Sequence, residues 1–157
     1  MTSYLGVDLG RKRIGLSVGD DRLSLALPVP ALVIGENADP VFELARIVQE
    51  RRIDIVVFGY PLNMDGSVGD MAGYVDSFID SLKKNVPSGV KFVKSDERLT
   101  SNQAEEDQKM YRKGRFESVK KKRKNRKSGM IDSNAAAIIL QDYLDELRYE
   151  LAKKEGR

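Results

Sequence analysis

Apolar and polar positions change period several times along this chain, and each change marks an element. Tyr4 to Leu9 and Arg13 to Gly19 are short apolar stretches separated by Gly10-Arg11-Lys12, a pattern that predicts a β-hairpin. Leu25 to Ile34 reads as a third strand, and its two prolines, Pro28 and Pro30, place it at a sheet edge because proline has no N–H for a ladder. Asp39 followed by Pro40 reads as a helix N-cap with proline at the first helical position. Val41, Leu44, Ala45 and Val48 then give the i, i+3, i+4, i+7 stripe of an amphipathic helix. Ile53 to Phe58 (IDIVVF) is apolar at successive positions, as parallel strands covered on both faces are. The helical stripe returns within Met71 to Asn85 at Val75, Phe78, Ile79 and Leu82, and Val90 to Ser95 is the next strand. Thr100 and Gln103 form a capping box for a helix to about Lys113. A last helix starts near Asp132 and carries Leu140, Leu144, Leu147 and Leu151. Adjacent strands followed by alternating helices and strands predict an α/β sheet with helices on both faces.

Composition narrows the class. The 157 residues form one predicted domain with a substantial core, no repeat and no dividing linker. With 41% hydrophobic and 32% charged residues the chain reads as globular rather than disordered. Its longest apolar stretch, the proline-broken Leu25 to Ile34, is too short to span a bilayer. The first residues run straight into a strand without a signal-peptide pattern, and there is no cysteine, so the expected location is the cytoplasm and no membrane is expected as a partner. The absence of histidine as well removes Ser-His-Asp and Cys-His catalysis and the usual zinc sites. Chemistry must then rest on carboxylates, Lys, Tyr, Ser/Thr or a bound ion, and carboxylates with water select hard cations such as Mg2+ or Mn2+.

Net charge is +3, but its distribution says more. Lys120, Lys121, Lys122, Arg123, Lys124, Arg126 and Lys127 are seven basic residues in eight, and outside them 20 basic residues face 24 acidic ones. A solvated face or a flexible arm over 115–129 is the plainer reading of such a run; a clamp on a polyanion is the functional one.

Candidate chemistry falls on strand ends and a helix start. Asp8, within Gly6-Val7-Asp8-Leu9-Gly10, nears the end of an apolar strand, where a carboxylate is costly to bury unless a partner or metal neutralises it. Gly10 and Gly15 leave room for a backbone or phosphate, and Arg11 and Lys12 follow. The plainer reading of Asp8 is a turn cap. Ser95-Asp96-Glu97-Arg98 follows a strand, where open α/β sheets place ligands; either acid could enter a site, and Arg98 could reach a phosphate. Asp132 precedes Ala135-Ala136-Ala137, small enough to let a helix lie close on the sheet, and its plainer reading is an N-cap. Asn63, in the loop Gly59 to Gly66, could donate to a phosphate or hold an attacking water. Three acids at such positions in a histidine-free chain make a cage for one or two divalent ions, and two ions about 4 Å apart suit an in-line phosphoryl displacement.

Taken in order, VDLGRKRIGLSVGD, GYPLNMDG, KSDERLTS and IDSNAAAIILQDYL resemble the YqgF (RuvX) family from about Tyr4 to Leu144. The resemblance implies a ribonuclease H-like fold, a central five-stranded mixed β-sheet flanked by α-helices. It places the acidic, metal-holding site on Asp8, Glu97 and Asp132, and so chooses Glu97 over Asp96 by analogy. Tyr60 stands where an aliphatic residue would be expected. The implied activity is metal-dependent phosphodiester hydrolysis, first on the 5′ end of pre-16S rRNA within ribosomal precursor particles, second on four-way DNA as a Holliday junction resolvase. The substrate contacts expected are Arg11, Lys12, Asn63, Arg98 and the basic run, with RNA favoured over structured DNA. Two other classes compete: a non-catalytic RNA-binding assembly factor, and a sugar-kinase or actin-like ATPase, because Asp8-Leu9-Gly10 also resembles the first phosphate motif of that group, although its nucleotide cleft needs two such domains.

Overall fold

The computed structural model describes residues 1–36, 38–61, 65–96 and 129–156. The opening alternation becomes three antiparallel strands: β1 (Ser3–Leu9), β2 (Arg13–Asp20) and β3 (Leu27–Val33). Gly10 closes the β1–β2 turn by donating its N–H to the Arg13 carbonyl at 3.0 Å. A Cβ at position 10 would strike that same carbonyl. The room expected there for a phosphate is therefore taken by the chain's own turn. β3 is an edge strand, as its prolines required.

Asp39 caps helix α1 (Pro40–Glu50), its carboxylate accepting from the N–H groups of Val41 and Phe42 at 3.0 and 3.4 Å. β4 (Ile55–Tyr60) pairs in parallel with β1, and β5 (Lys91–Asp96) in parallel with β4. Helix α2 (Asp70–Lys83) connects them, and helix α3 (Gly129–Glu155) follows. The sheet has the order β3-β2-β1-β4-β5, antiparallel on one side and parallel on the other.

The two faces are covered separately. Leu5, Val7, Leu9, Ile14 and Leu16 meet α1 and α2 through Leu44, Val48, Val75, Phe78 and Leu82. Tyr4 and Val57 meet α3 through Ile139, Leu140 and Leu144. Val56, Val57 and Phe58 are fully buried, as the uninterrupted apolar run of β4 predicts for a strand covered on both sides. Each such side chain contributes about 1.5–3 kcal/mol on removal from water. The stripe of α3 outruns the sheet: Leu140 and Leu144 are buried while Leu151 is exposed. No helix among the described residues is long and apolar enough to cross a membrane.

Candidate metal centre at the carboxyl edge of the sheet

Strand alternation assigns the faces of β1. Leu5, Val7 and Leu9 point to α1 and α2, so Tyr4, Gly6 and Asp8 occupy the α3 face. Asp8 is half-buried and lies opposite Gly15 of β2.

Helix α3 reaches this face through small residues. The Ser17 hydroxyl donates to the Ala136 carbonyl at 2.7 Å. A Cβ on Gly6 would collide with Ser17 Oγ and stand 2.8 Å from both the Ala136 carbonyl oxygen and Leu140 Cβ. The Ser133 hydroxyl donates to the Val29 carbonyl at 2.5 Å and accepts from the Leu16 N–H at 3.5 Å. Leu16 and Val29 are cross-strand partners beside a register shift between Ile14 and Leu16, so the serine bridges backbone groups where the β2–β3 ladder is irregular. Further along α3, Tyr143 meets Tyr4 edge-on at 5.9 Å. Residues 133 and 136 thus lie toward the carboxyl end of β1 and residue 143 toward its amino end, so α3 runs opposite to β1.

This contact sets the relation of two of the expected acids. Ala136 rests on Gly6, and Asp132 is four residues before Ala136, about 6 Å along the axis. Asp8 is two residues beyond Gly6, about 6.6 Å along the strand. Both displacements run in the same direction, so the backbone carries Asp132 and Asp8 to the same end of the same face. Asp132 is the fourth residue of α3, inside its first turn, because the helix begins at Gly129; the N-cap reading of Asp132 does not hold. A carboxylate in the first turn is favoured by the helix dipole.

Of the acids expected to follow β5, Asp96 is instead the last residue of that strand and belongs to the wrong face for a site with Asp8. Phe92 packs toward α2 and Val93 toward α3, and Asp96 pairs in register with Tyr60, whose hydroxyl meets α2. Glu97 and Arg98 lie outside the described residues, as do Asn63, the Thr100–Gln103 box with its helix, and Lys120, Lys121, Lys122, Arg123, Lys124, Arg126 and Lys127. Asp8 is therefore the member of the expected triad whose side chain is described, and no three acids gather among the described residues. Its half-buried place at a strand end, in a chain without histidine or cysteine, suits an oxygen-preferring divalent ion.

A second polar group at this edge went unread in the sequence. The Tyr60 hydroxyl donates to Asp76 Oδ2 at 2.8 Å, and Lys94 Nζ lies 2.5 Å from Asp76 Oδ1 and 4.9 Å from the centre of the Tyr60 ring. The hydrogen bonds from Lys94 and then Tyr60 hold the Asp76 carboxyl below its ordinary range. The same carboxylate raises the Lys94 ammonium and the Tyr60 phenol. The tyrosine at position 60 was the signal: an aromatic with a polar tip at a strand end needs a partner when it packs. Arg11 and Lys12 stand exposed on the β1–β2 turn, with the Arg11 guanidinium 5.0 Å from the centre of the Tyr74 ring.

A mixed sheet of this order, with an acid at the end of its first strand and a helix crossing beside it, defines the ribonuclease H-like class. Two solved structures share it: fowlpox virus resolvase with Holliday junction DNA (TM-score 0.55, 14% identity, 93% of this chain and 99% of that one) and T. thermophilus RuvC with its Holliday junction substrate (TM-score 0.52, 15% identity, 92% and 94%). At such identities the likeness establishes the fold. The particular family comes from sequence. The RuvX model, described as Holliday junction resolvase, matches residues 2–146. Relatives named as candidate pre-16S rRNA nucleases include those of Opitutus terrae (40% identity, 90% of each chain) and Synechococcus elongatus (40%, 92% of this chain and 89% of the relative). A third, from a Sulfurihydrogenibium species, is 35% identical over 95% of this chain and 94% of its own. The chain belongs to the RuvX (YqgF) family, a family of nucleases.

Proposed function

We propose that this protein is a divalent-metal-dependent nuclease that processes the 5′ end of pre-16S rRNA, with Asp8, Glu97 and Asp132 holding Mg2+ or Mn2+. The observation that carries the site is the seating of Ala136 on Gly6, which brings the Asp8 and Asp132 backbones to one end of one sheet face. The names of the relatives support the substrate. Glu97 joins them in this reading because Asp96 has its place on the opposite face. When bound, the ion would activate water and neutralise negative charge on the phosphoryl oxygens. Asp8, held at a strand end by the β1–β2 ladder, orients that charge without rearranging, and Arg11, Lys12, Asn63, Arg98 and the basic run bind phosphates. The reading takes 1–157 as one nuclease domain acting in the cytoplasm.

The family model's description favours a second reading, resolution of four-way DNA. That reaction cuts two strands symmetrically and needs a two-fold dimer. Both are tested by incubating labelled precursor RNA and a four-way DNA junction with wild type and Asp8→Asn, in Mg2+, Mn2+ or chelator. Metal-dependent RNA cutting that Asp8→Asn abolishes is expected. Cutting of the junction alone transfers the assignment to DNA. RNA binding with neither substrate cut overturns the catalytic reading in favour of an RNA-binding assembly factor.

A further inference from the structure

The β1–β2 turn is held more firmly than a substrate-seeking loop needs to be. Gly10 N–H to Arg13 carbonyl closes it at 3.0 Å, and Ile34 N–H to Lys12 carbonyl, at 2.9 Å, straps it to the end of β3. From this braced turn the Arg11 side chain crosses to the α2 side of the sheet, where its guanidinium lies over the Tyr74 ring. Tyr74 is itself steadied by an edge-on contact with Phe78 at 6.3 Å. A cation–π contact holds a guanidinium through its charge and spends none of its N–H donors on a hydrogen-bond acceptor. Among the described residues Arg11 has no ion-pair partner, whereas Lys94, on the same side, is already spent on Asp76. A preorganised guanidinium three residues from Asp8, with no ion-pair partner among the described residues, is suited to an anion arriving at this edge.

We infer that Tyr74 is a positioning residue that braces Arg11 to grip a flanking phosphodiester of a single-stranded nucleic acid, so that the bound strand passes over the carboxyl edge of the sheet from the Asp8 face to the α2 face. The inference rests on the nuclease reading and adds the path of the strand to it. The bound phosphate lies away from the scissile one, because Asp8 faces α3 and the Arg11–Tyr74 pair faces α2. Its contribution is to affinity and register, with no preference among bases.

The test is a double-mutant cycle on binding of a fluorescently labelled single-stranded RNA, read by anisotropy in chelator so that no cleavage intervenes. Arg11→Ala weakens binding about five- to tenfold and lowers the slope of log affinity against log salt by about 0.7, as for one lost phosphate contact on a single strand. Tyr74→Leu weakens binding about two- to fivefold, the range of an exposed cation–π pair. Tyr74→Phe, which keeps the aromatic face, binds as wild type does. In the Arg11→Ala background, Tyr74→Leu has no further effect. Thermal unfolding of each variant establishes that the folded protein is being compared. A Tyr74→Leu loss that persists in full without Arg11, or an Arg11→Ala variant with wild-type affinity and salt slope, overturns the inference while leaving the nuclease reading intact. Failure of the wild type to bind the RNA overturns the inference, while the nuclease reading is decided separately by the cleavage assay.

Discussion

The two faces of the sheet are built on different principles. Toward α1 and α2 the strands present Leu5, Val7, Leu9, Ile14 and Leu16, and long side chains on both sides interlock to give a dry apolar layer. Toward α3 the same strands present Gly6, Ser17 and Asp8, and the helix answers with Ser133 and Ala136. Ser17 and Ser133 are fully buried, and each hydroxyl is committed to a backbone partner. An apolar layer stabilises in proportion to area and tolerates small shifts. A helix resting on bare backbone through short hydrogen bonds has little freedom to slide. The face that carries Asp8 is the one where position is defined most tightly, as the proposed cation site would require.

Substitutions on the two faces should therefore fail in different ways. The largest loss of stability is expected for Phe58→Ala, which empties the centre of the apolar layer: about 3–5 kcal/mol in denaturant unfolding. Protein that remains folded should still bind Mn2+ with wild-type affinity in calorimetry, because the α3 contact is untouched. Gly6→Ala should cost about 1–3 kcal/mol through overpacking, with a disproportionate loss of Mn2+ affinity, because its Cβ displaces α3 where that helix carries Asp132. Equal metal affinity for the two variants, compared as folded proteins, would abolish the distinction between the faces. Ser133→Ala should cost about 1–2 kcal/mol by leaving the Val29 carbonyl without its hydroxyl donor. Faster amide exchange at Leu16 and its β2 neighbours would report it.

The smallest effect belongs to the Tyr60–Asp76–Lys94 group. Its side chains are about a third and a half exposed at Asp76 and Lys94, so solvent screening keeps the pair to under about 1 kcal/mol. The signs are nonetheless defined. Asp76 has a lowered carboxyl, so its contribution is complete above the unfolded carboxylate pKa near 3.9 and is lost as pH falls through the lower folded value. Lys94 has a raised ammonium, so its contribution is present below about 10.4 and is lost as pH rises through the higher folded value. Asp76→Asn should lower the neutral plateau by under about 1 kcal/mol and make the acid limb shallower by the same amount. An acid limb as steep as that of wild type would show that other carboxylates set it.

Much of the fold is legible in the sequence, because its signals are local. The Asp39-Pro40 cap, the stripe of α1, the two-sided burial of IDIVVF and the edge position of the proline-bearing β3 each depend on residues within a few positions of one another. Asp8 was legible for the same reason: a carboxylate at the end of an apolar strand is conspicuous on its own. Family resemblance added Glu97 and Asp132, which their immediate surroundings could not distinguish from a charged strand end and a helix cap.

What defines the α3 face had no local signature. Ser17 and Ala136 are 119 residues apart, and Ser133 and Val29 are 104 apart. Gly6 reads in the sequence as an ordinary strand glycine, and only the helix laid across it shows why a side chain has no room there. The Tyr60–Asp76–Lys94 group likewise joins β4, α2 and β5, and no periodicity links the three. The sequence by itself determined the elements, the two-sided burial of the central strand and the absence of every catalytic group except oxygen and nitrogen donors of acids, alcohols, amides and bases. Tertiary structure alone decided which small residues touch, that Asp8 and Asp96 belong to opposite faces, and that the Asp8 and Asp132 backbones lie at one end of one face. Hydrophobic period specifies the face of an element, but the partner across that face depends on how distant segments pack, and close approach of two backbones leaves no periodic trace in either one.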